Sequence, residues 1–221
     1  MVKVTWNFFC HPIQTSRELA AESNLRPSLS LVVGFACLLG LAYLISYLAK
    51  AYPPPPADWQ VWIDTWGATF MKPIIPVPLE SYRLFLAIAI IPWVIGLWLA
   101  MAGLGTLFSR LFGGKVGFKG YLSVFGLSFF PFWILAAILD FLYMGFINPY
   151  IVPALNMEYG LLPRTVVYLV PLVMYPTLMG IGGVYNAVAT RAIEGFAGWK
   201  AAITGTVTCV MAIVLLSVVV R

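Results

Sequence analysis

The chain has 221 residues, of which 62% are hydrophobic and only 10% charged, with a formal net charge of +5. A water-soluble domain carries about 25% charged residues, so this composition excludes an ordinary soluble protein. The positive charges flank the apolar runs and form no basic stripe interleaved with aromatics, which sets nucleic acid aside in favour of topology signals and anionic lipid headgroups.

In chain order, residues 1–27 read as a cytosolic interfacial segment, amphipathic and lying on the membrane face. Trp6, Phe8 and Phe9 come first. Thr15-Ser16-Arg17-Glu18 then matches a capping box, in which the hydroxyl and the carboxylate each satisfy an orphan amide. The spacing predicts a helix from there to about Asn24, with Pro27 turning the chain into the membrane.

Residues 28–221 read as one membrane domain, an all-α bundle of five transmembrane helices. Its spans are expected at about 28–49, 82–108, 121–146, 165–189 and 199–220. Each run meets the ~20 mostly apolar residues that a bilayer core requires. Lipid offers the backbone no hydrogen-bond partner, so such runs must be helices. Ala49-Lys50-Ala51 resembles a signal cleavage site, but the preceding run is longer than the 7–15 residues of a typical signal core, and it reads as a retained helix.

Five spans place the termini on opposite sides. Lys3, Arg17, Arg26, Arg110, Lys115, Lys119, Arg191 and Lys200 fall on one side, against Lys50, Lys72, Arg83, Arg164 and Arg221 on the other. The basic excess predicts N-in, C-out, in the cell (inner or plasma) membrane.

The first outer loop opens with four prolines, Pro53 to Pro56, a stiff extended spacer. Trp59, Trp62, Ile63, Trp66 and Phe70 follow on one helical face, with Asp58 placed as N-cap. This predicts a Trp-rich interfacial helix resting on the outer surface; a lid or a partner-docking surface is the sharper alternative. The inner loop from Gly113 to Gly120 is rich in glycine and lysine, but it lacks the strand, helix and GxxxxGK[ST] pattern of a phosphate loop. It reads as a flexible basic turn against anionic headgroups.

Proline interrupts several spans: Pro92 in the second, Pro131 in the third, Pro171 and Pro176 in the fourth. Gly180, Gly182 and Gly183 add to the last two, which makes the fourth span the expected hinge. These glycines serve close helix packing, or line a substrate site as broken transporter helices do. Charge within the spans is sparse. Asp140 in the third span and Arg83 at the start of the second are placed for an ion pair, with Asn148 just beyond; a proton or ion site is the alternative reading of Asp140. At the inner end of the fourth span, Asn186 and Arg191 stand about 140° apart around a helix, and Arg191 can snorkel to the interface.

No metal site is expected. Cys10, Cys37 and Cys209 are scattered, and His11 is the one histidine in the chain. No nucleophile–base pair or paired carboxylates point to an enzyme, and no cofactor is implied.

Four stretches, taken in order, resemble the Yip1-domain family in its short prokaryotic form. They are Phe9-Cys10-His11-Pro12 with Thr15; Gly113-Gly114-Lys115-Val116-Gly117-Phe118-Lys119 running into Leu122 to Pro131; Tyr185-Asn186-Ala187-Val188-Ala189-Thr190-Arg191-Ala192; and Gly195-Phe196-Ala197-Gly198-Trp199-Lys200-Ala201-Ala202. The resemblance implies a five-helix membrane bundle with a cytosolic N-terminus. Eukaryotic members are linked to vesicle traffic, small-GTPase binding and membrane shaping; prokaryotic members have no settled activity. This chain lacks the long polar N-terminal region of the eukaryotic members and adds the Trp-rich outer loop.

The expectation is therefore a non-enzymatic membrane module that organises partners or lipids. A transporter or channel for a small or lipidic solute, working beside the fourth span, is the alternative. Small faces at Gly34 and Gly96 leave a membrane-protein partner or self-association open.

Overall fold

The computed structural model describes residues 2–48, 79–142 and 164–219. Every regular element among them is helical. Helix α1 covers Val2–Cys10, α2 Pro12–Glu22, α3 Arg26–Leu48, α4 Leu79–Leu111, α5 Phe118–Ser128, α6 Phe130–Leu142, α7 Arg164–Glu194 and α8 Gly198–Val219. The segments Arg26–Ile45, Ala87–Leu111 and Phe118–Leu135 are each long and apolar enough to cross a membrane. Leu38, Leu41, Ile45, Ile88, Leu99 and Leu107 project from α3 and α4 away from the protein, as lipid-facing side chains would.

Helix α5 is the centre of the molecule. All nine residues from Gly120 to Ser128 are buried, so no face of it is amphipathic. A helix apolar all round belongs in a core, and α5 has α2, α3, α4 and α7 packed around it. Glycine sets the closest approach. A Cβ on Gly126 would lie 2.5 Å from the Cβ of Ser28 and 2.9 Å from its Cα, so α3 crosses α5 at nearly backbone distance. There Ser28 Oγ donates to the Ser123 carbonyl at 2.5 Å, and Trp98 Nε1 of α4 donates to the Leu122 carbonyl at 3.1 Å. Other hydroxyls within the bundle turn back on their own helices, as Thr106, Thr204 and Thr208 do on carbonyls four residues earlier.

The interruption falls in the third apolar run rather than the fourth. Phe129 separates α5 from α6, because Pro131 has no N–H for the Leu127 carbonyl and its ring crowds that carbonyl. The break turns Phe129, Phe130 and Trp133 into one aromatic cluster with Phe35 of α3, packed edge-on and tilted. By contrast α7 is continuous from Arg164 to Glu194, through Pro171, Pro176 and all three glycines expected to form a hinge. Two of those glycines are contact points. A Cβ on Gly182 would meet the Phe129 ring at 3.1 Å, and one on Gly183 would meet Cys209 of α8 at 3.4 Å, whereas Gly180 faces open space. Neighbours on two sides hold the helix where glycine alone would loosen it.

The N-terminal segment packs against the bundle. The expected capping box does not form: α2 begins at Pro12, and Thr15 and Ser16 are buried within it. Proline suits the first helical turn, where its missing N–H costs nothing, and this starts the helix one turn early. Ser23, in the left-handed region at φ 49°, ends it. Phe8 is fully buried with Leu19, Val124, Leu127 and Ala189, and Phe9 stacks edge-on against Phe132 and Tyr185.

Candidate functional site

The polar chemistry of the described residues concentrates at one end of the bundle, where α2 ends, α4 turns into α5 and α7 turns into α8. Glu194 is the last residue of α7, where a carboxylate opposes the helix dipole. The loop between α4 and α5 compensates for it. Ser109 Oγ donates to one carboxylate oxygen and Tyr121 OH reaches the same oxygen at 3.2 Å. The backbone N–H of Lys115 donates at 2.8 Å and that of Val116 at 3.2 Å. Those two amides lie just ahead of Gly117, the N-cap of α5, so the carboxylate also meets the favourable end of that helix dipole.

Two glycines make this wrap possible. Gly113 sits at φ +84°, and a Cβ on Gly114 would collide with Ser109 Oγ and lie 2.8 Å from the Glu194 carboxyl carbon. The Gly-rich turn is thus not a free basic flap. The amides of Lys115 and Val116 are committed to Glu194, while the side chains of Lys115 and Lys119 remain exposed.

Two cations brace the same end. Arg17 Nε of α2 donates to the Ala192 carbonyl at 3.1 Å, and Lys200 Nζ of α8 donates to the Phe112 carbonyl at 3.3 Å. Each meets the open carbonyls of a helix C-terminus. Lys200 also lies 5.7 Å from the Trp199 ring centroid and 5.9 Å from that of Phe196. Arg17, Arg26, Arg110, Lys115, Lys119, Arg191 and Lys200 outnumber Glu18, Glu22 and Glu194 here, so the end is strongly cationic.

A second polar feature lies deeper. Asn186 is fully buried on α7, and Ser128 Oγ of α5 donates to its Oδ1. Thr190, one turn further along the same face, is buried too. Among the described residues, Asn186 Nδ2, Thr190 Oγ1 and Ser16 Oγ have no hydrogen-bond partner. Because losing one partner strands the other whereas replacing both does not, Ser128→Ala is expected to cost about 1–2 kcal/mol. The double variant Ser128→Ala/Asn186→Leu is expected to recover most of that loss. Denaturant titration of the purified protein in detergent reads both; a double variant less stable than Ser128→Ala would contradict the assignment.

The remaining sequence candidates are placed as follows. Arg191 is exposed and turned away from Asn186. Asp140 and Arg83 belong to α6 and α4, but their side chains, and with them the expected ion pair, lie outside the described residues, as does Asn148. So do Trp59, Trp62, Trp66 and Phe70. Among the described residues no group of three His, Cys, Asp or Glu side chains could hold a metal ion. Sequence reasoning did not single out Glu194. The available signal was the pair Gly113-Gly114, since adjacent glycines allow backbone amides to converge on an anion.

No protein-family model, curated protein or solved structure matches this chain.

Proposed function

We propose that the chain is a five-span integral membrane protein of the Yip1-like type that organises lipids or membrane partners and carries out no chemistry of its own. On this reading α7 and α8 cross the bilayer together with α3, α4 and the α5–α6 pair. The cationic end faces the cytosol in the inner or plasma membrane. The observation that carries it is that end itself: Arg17 of α2 and six further cations on turns and helix ends, at the same end as Glu194, beneath helices that turn leucine and isoleucine outward. Such an end suits contact with anionic headgroups, at about 1 kcal/mol for each Lys or Arg near the surface.

The transport alternative has one observation in its favour, the unpartnered atoms at Asn186, Thr190 and Ser16. Against it, the open space beside Gly180 and Gly183 has no wall formed by Asn186 and lies between α7 and α8, lined mostly by small apolar residues, with Thr206 and Arg191 the polar ones. The α5–α7 seam beside Asn186 is filled by Phe8, Val124, Leu127 and Ala189.

Photo-crosslinking in native membranes tests the proposal, with benzoylphenylalanine at Phe118 on the α4–α5 turn and at Phe196 on the α7–α8 turn. A stoichiometric protein adduct, or adducts confined to anionic lipid, is the expected result. Solute flux through reconstituted vesicles that is abolished by Asn186→Ala would overturn the proposal in favour of transport.

A further inference from the structure

Between α7 and α8, on the side away from α5, runs an open groove of about 370 Å³. Gly180, Gly183, Ala187, Ala202 and Thr206 line its length, and Arg191 stands at its end. Close helix contact makes the floor. A Cβ on Gly205 would lie 2.5 Å from the Ala187 backbone nitrogen, and Cys209 Sγ meets the Met179 carbonyl at 3.2 Å. Val184 (61% exposed) and Val210 (50%) form the lips. The Arg191 guanidinium is exposed and has no hydrogen bond among the described residues.

We infer that this groove holds one acyl chain of an anionic phospholipid, with Arg191 on its phosphate. The inference rests on the membrane reading above and gives it a ligand and a place. Two observations select this occupant. The first is length. From Gly180 to Arg191 is about 16 Å of helix at about 1.5 Å per residue, close to half of the ~30 Å hydrocarbon core. The groove is therefore one leaflet deep, with its cation at the headgroup level. The second is charge. Small-residue faces also pair helices of two copies, but copies in one membrane share an orientation. A two-fold axis along the membrane normal would then bring Arg191 against its own equivalent, like charge on like. An anionic headgroup satisfies the guanidinium instead.

Two substitutions separate chain from headgroup without disturbing the fold. A Cβ added at Gly180 would meet nothing within 4 Å, so Gly180→Leu fills the groove from outside the packing. Arg191→Gln removes only the exposed charge. The purified full chain in detergent is titrated with phosphatidylglycerol and with phosphatidylcholine of equal chain length, and lipid adducts are counted by native mass spectrometry.

The wild-type chain is expected to prefer phosphatidylglycerol by about fivefold, the ratio that corresponds to one cation near a membrane surface. Arg191→Gln should bind the two lipids equally. Gly180→Leu should weaken both by a similar factor. A wild-type preference that survives in both variants would overturn the groove as the site while leaving the membrane-organising reading intact. Loss of a dimer mass in Gly180→Leu, with lipid binding unchanged, would also overturn it and assign the groove to a second copy. No lipid preference in the wild type, together with solute flux in vesicles, would remove both readings.

Discussion

Glu194→Ala is expected to lower the stability of the folded chain by about 3 kcal/mol, more than any other truncation at the cationic end. One carboxylate collects a hydroxyl, a phenol and two backbone amides. Hydrogen bonds to a charged group contribute roughly 1.5–3 kcal/mol each, and water can replace only those on the exposed side. The loss is therefore a fraction of the sum. Glu194→Gln keeps an acceptor and the side-chain shape but loses the charge, and it should recover about half of the deficit. Two measurements check this. Reversible denaturant unfolding in detergent gives the size of the effect. Limited proteolysis gives its location, with cleavage expected to rise first at Gly113–Val116, whose amides the carboxylate no longer holds. An alanine variant within about 0.5 kcal/mol of wild type, in the range of an ordinary surface substitution, would remove Glu194 from its central place.

The second large effect is expected from adding a single methyl group. Gly126→Ala and Gly205→Ala each set a Cβ against neighbouring backbone: Ser28 Cα at 2.9 Å in the first case, Ala187 nitrogen at 2.5 Å and Cα at 2.7 Å in the second. Backbone cannot rotate aside as a side chain can, so the helix pair must separate. Overpacking of this kind typically costs about 1–3 kcal/mol, and both sites should fall at the upper end. Gly34→Ala provides the contrast. It meets nothing within 4 Å, and alanine is the better helix former by about 1 kcal/mol, so this variant should be neutral or slightly more stable. Thermal unfolding of the three variants side by side is the measurement. Equal destabilisation at all three positions would mean that general helix effects, not the α3–α5 and α7–α8 crossings, set the outcome.

Helix placement was legible in this sequence because long apolar runs leave the backbone no alternative. The run at 28–49 is helix Arg26–Leu48, and those at 82–108, 165–189 and 199–220 correspond to α4, α7 and α8 with longer or slightly shifted ends. Composition does not say which proline breaks its helix. Pro131 does so between α5 and α6, whereas Pro92 is accommodated inside α4. At Pro131 the break is lined by the rings of Phe129, Phe130 and Trp133. The N-terminal aromatics were only partly legible for a related reason. Trp6, Phe8 and Phe9 looked like residues for a lipid surface, yet Phe8 and Phe9 face protein while Trp6 stays exposed, and nothing in their spacing distinguishes lipid from protein as apolar surroundings. Glu194 was hidden because half of its ligands are peptide N–H groups, which every residue but proline possesses and no motif of side chains records.

The enclosure of α5 has a consequence for biosynthesis. Helices α1 and α2 leave the ribosome well before α7, yet Arg17 reaches its acceptor Ala192 across 175 residues, and Phe8 and Phe9 rest on Tyr185 of α7. These contacts cannot form until α7 has been translated. Until then the N-terminal helices have α5 but not α7 to rest on, and the flank of α5 that α7 covers stays open. Completion of α7 acts as a latch on the N-terminal helices, and a nascent chain stalled before α7 leaves the α7-facing surfaces of α5 and of those helices open to whatever quality-control machinery attends the membrane.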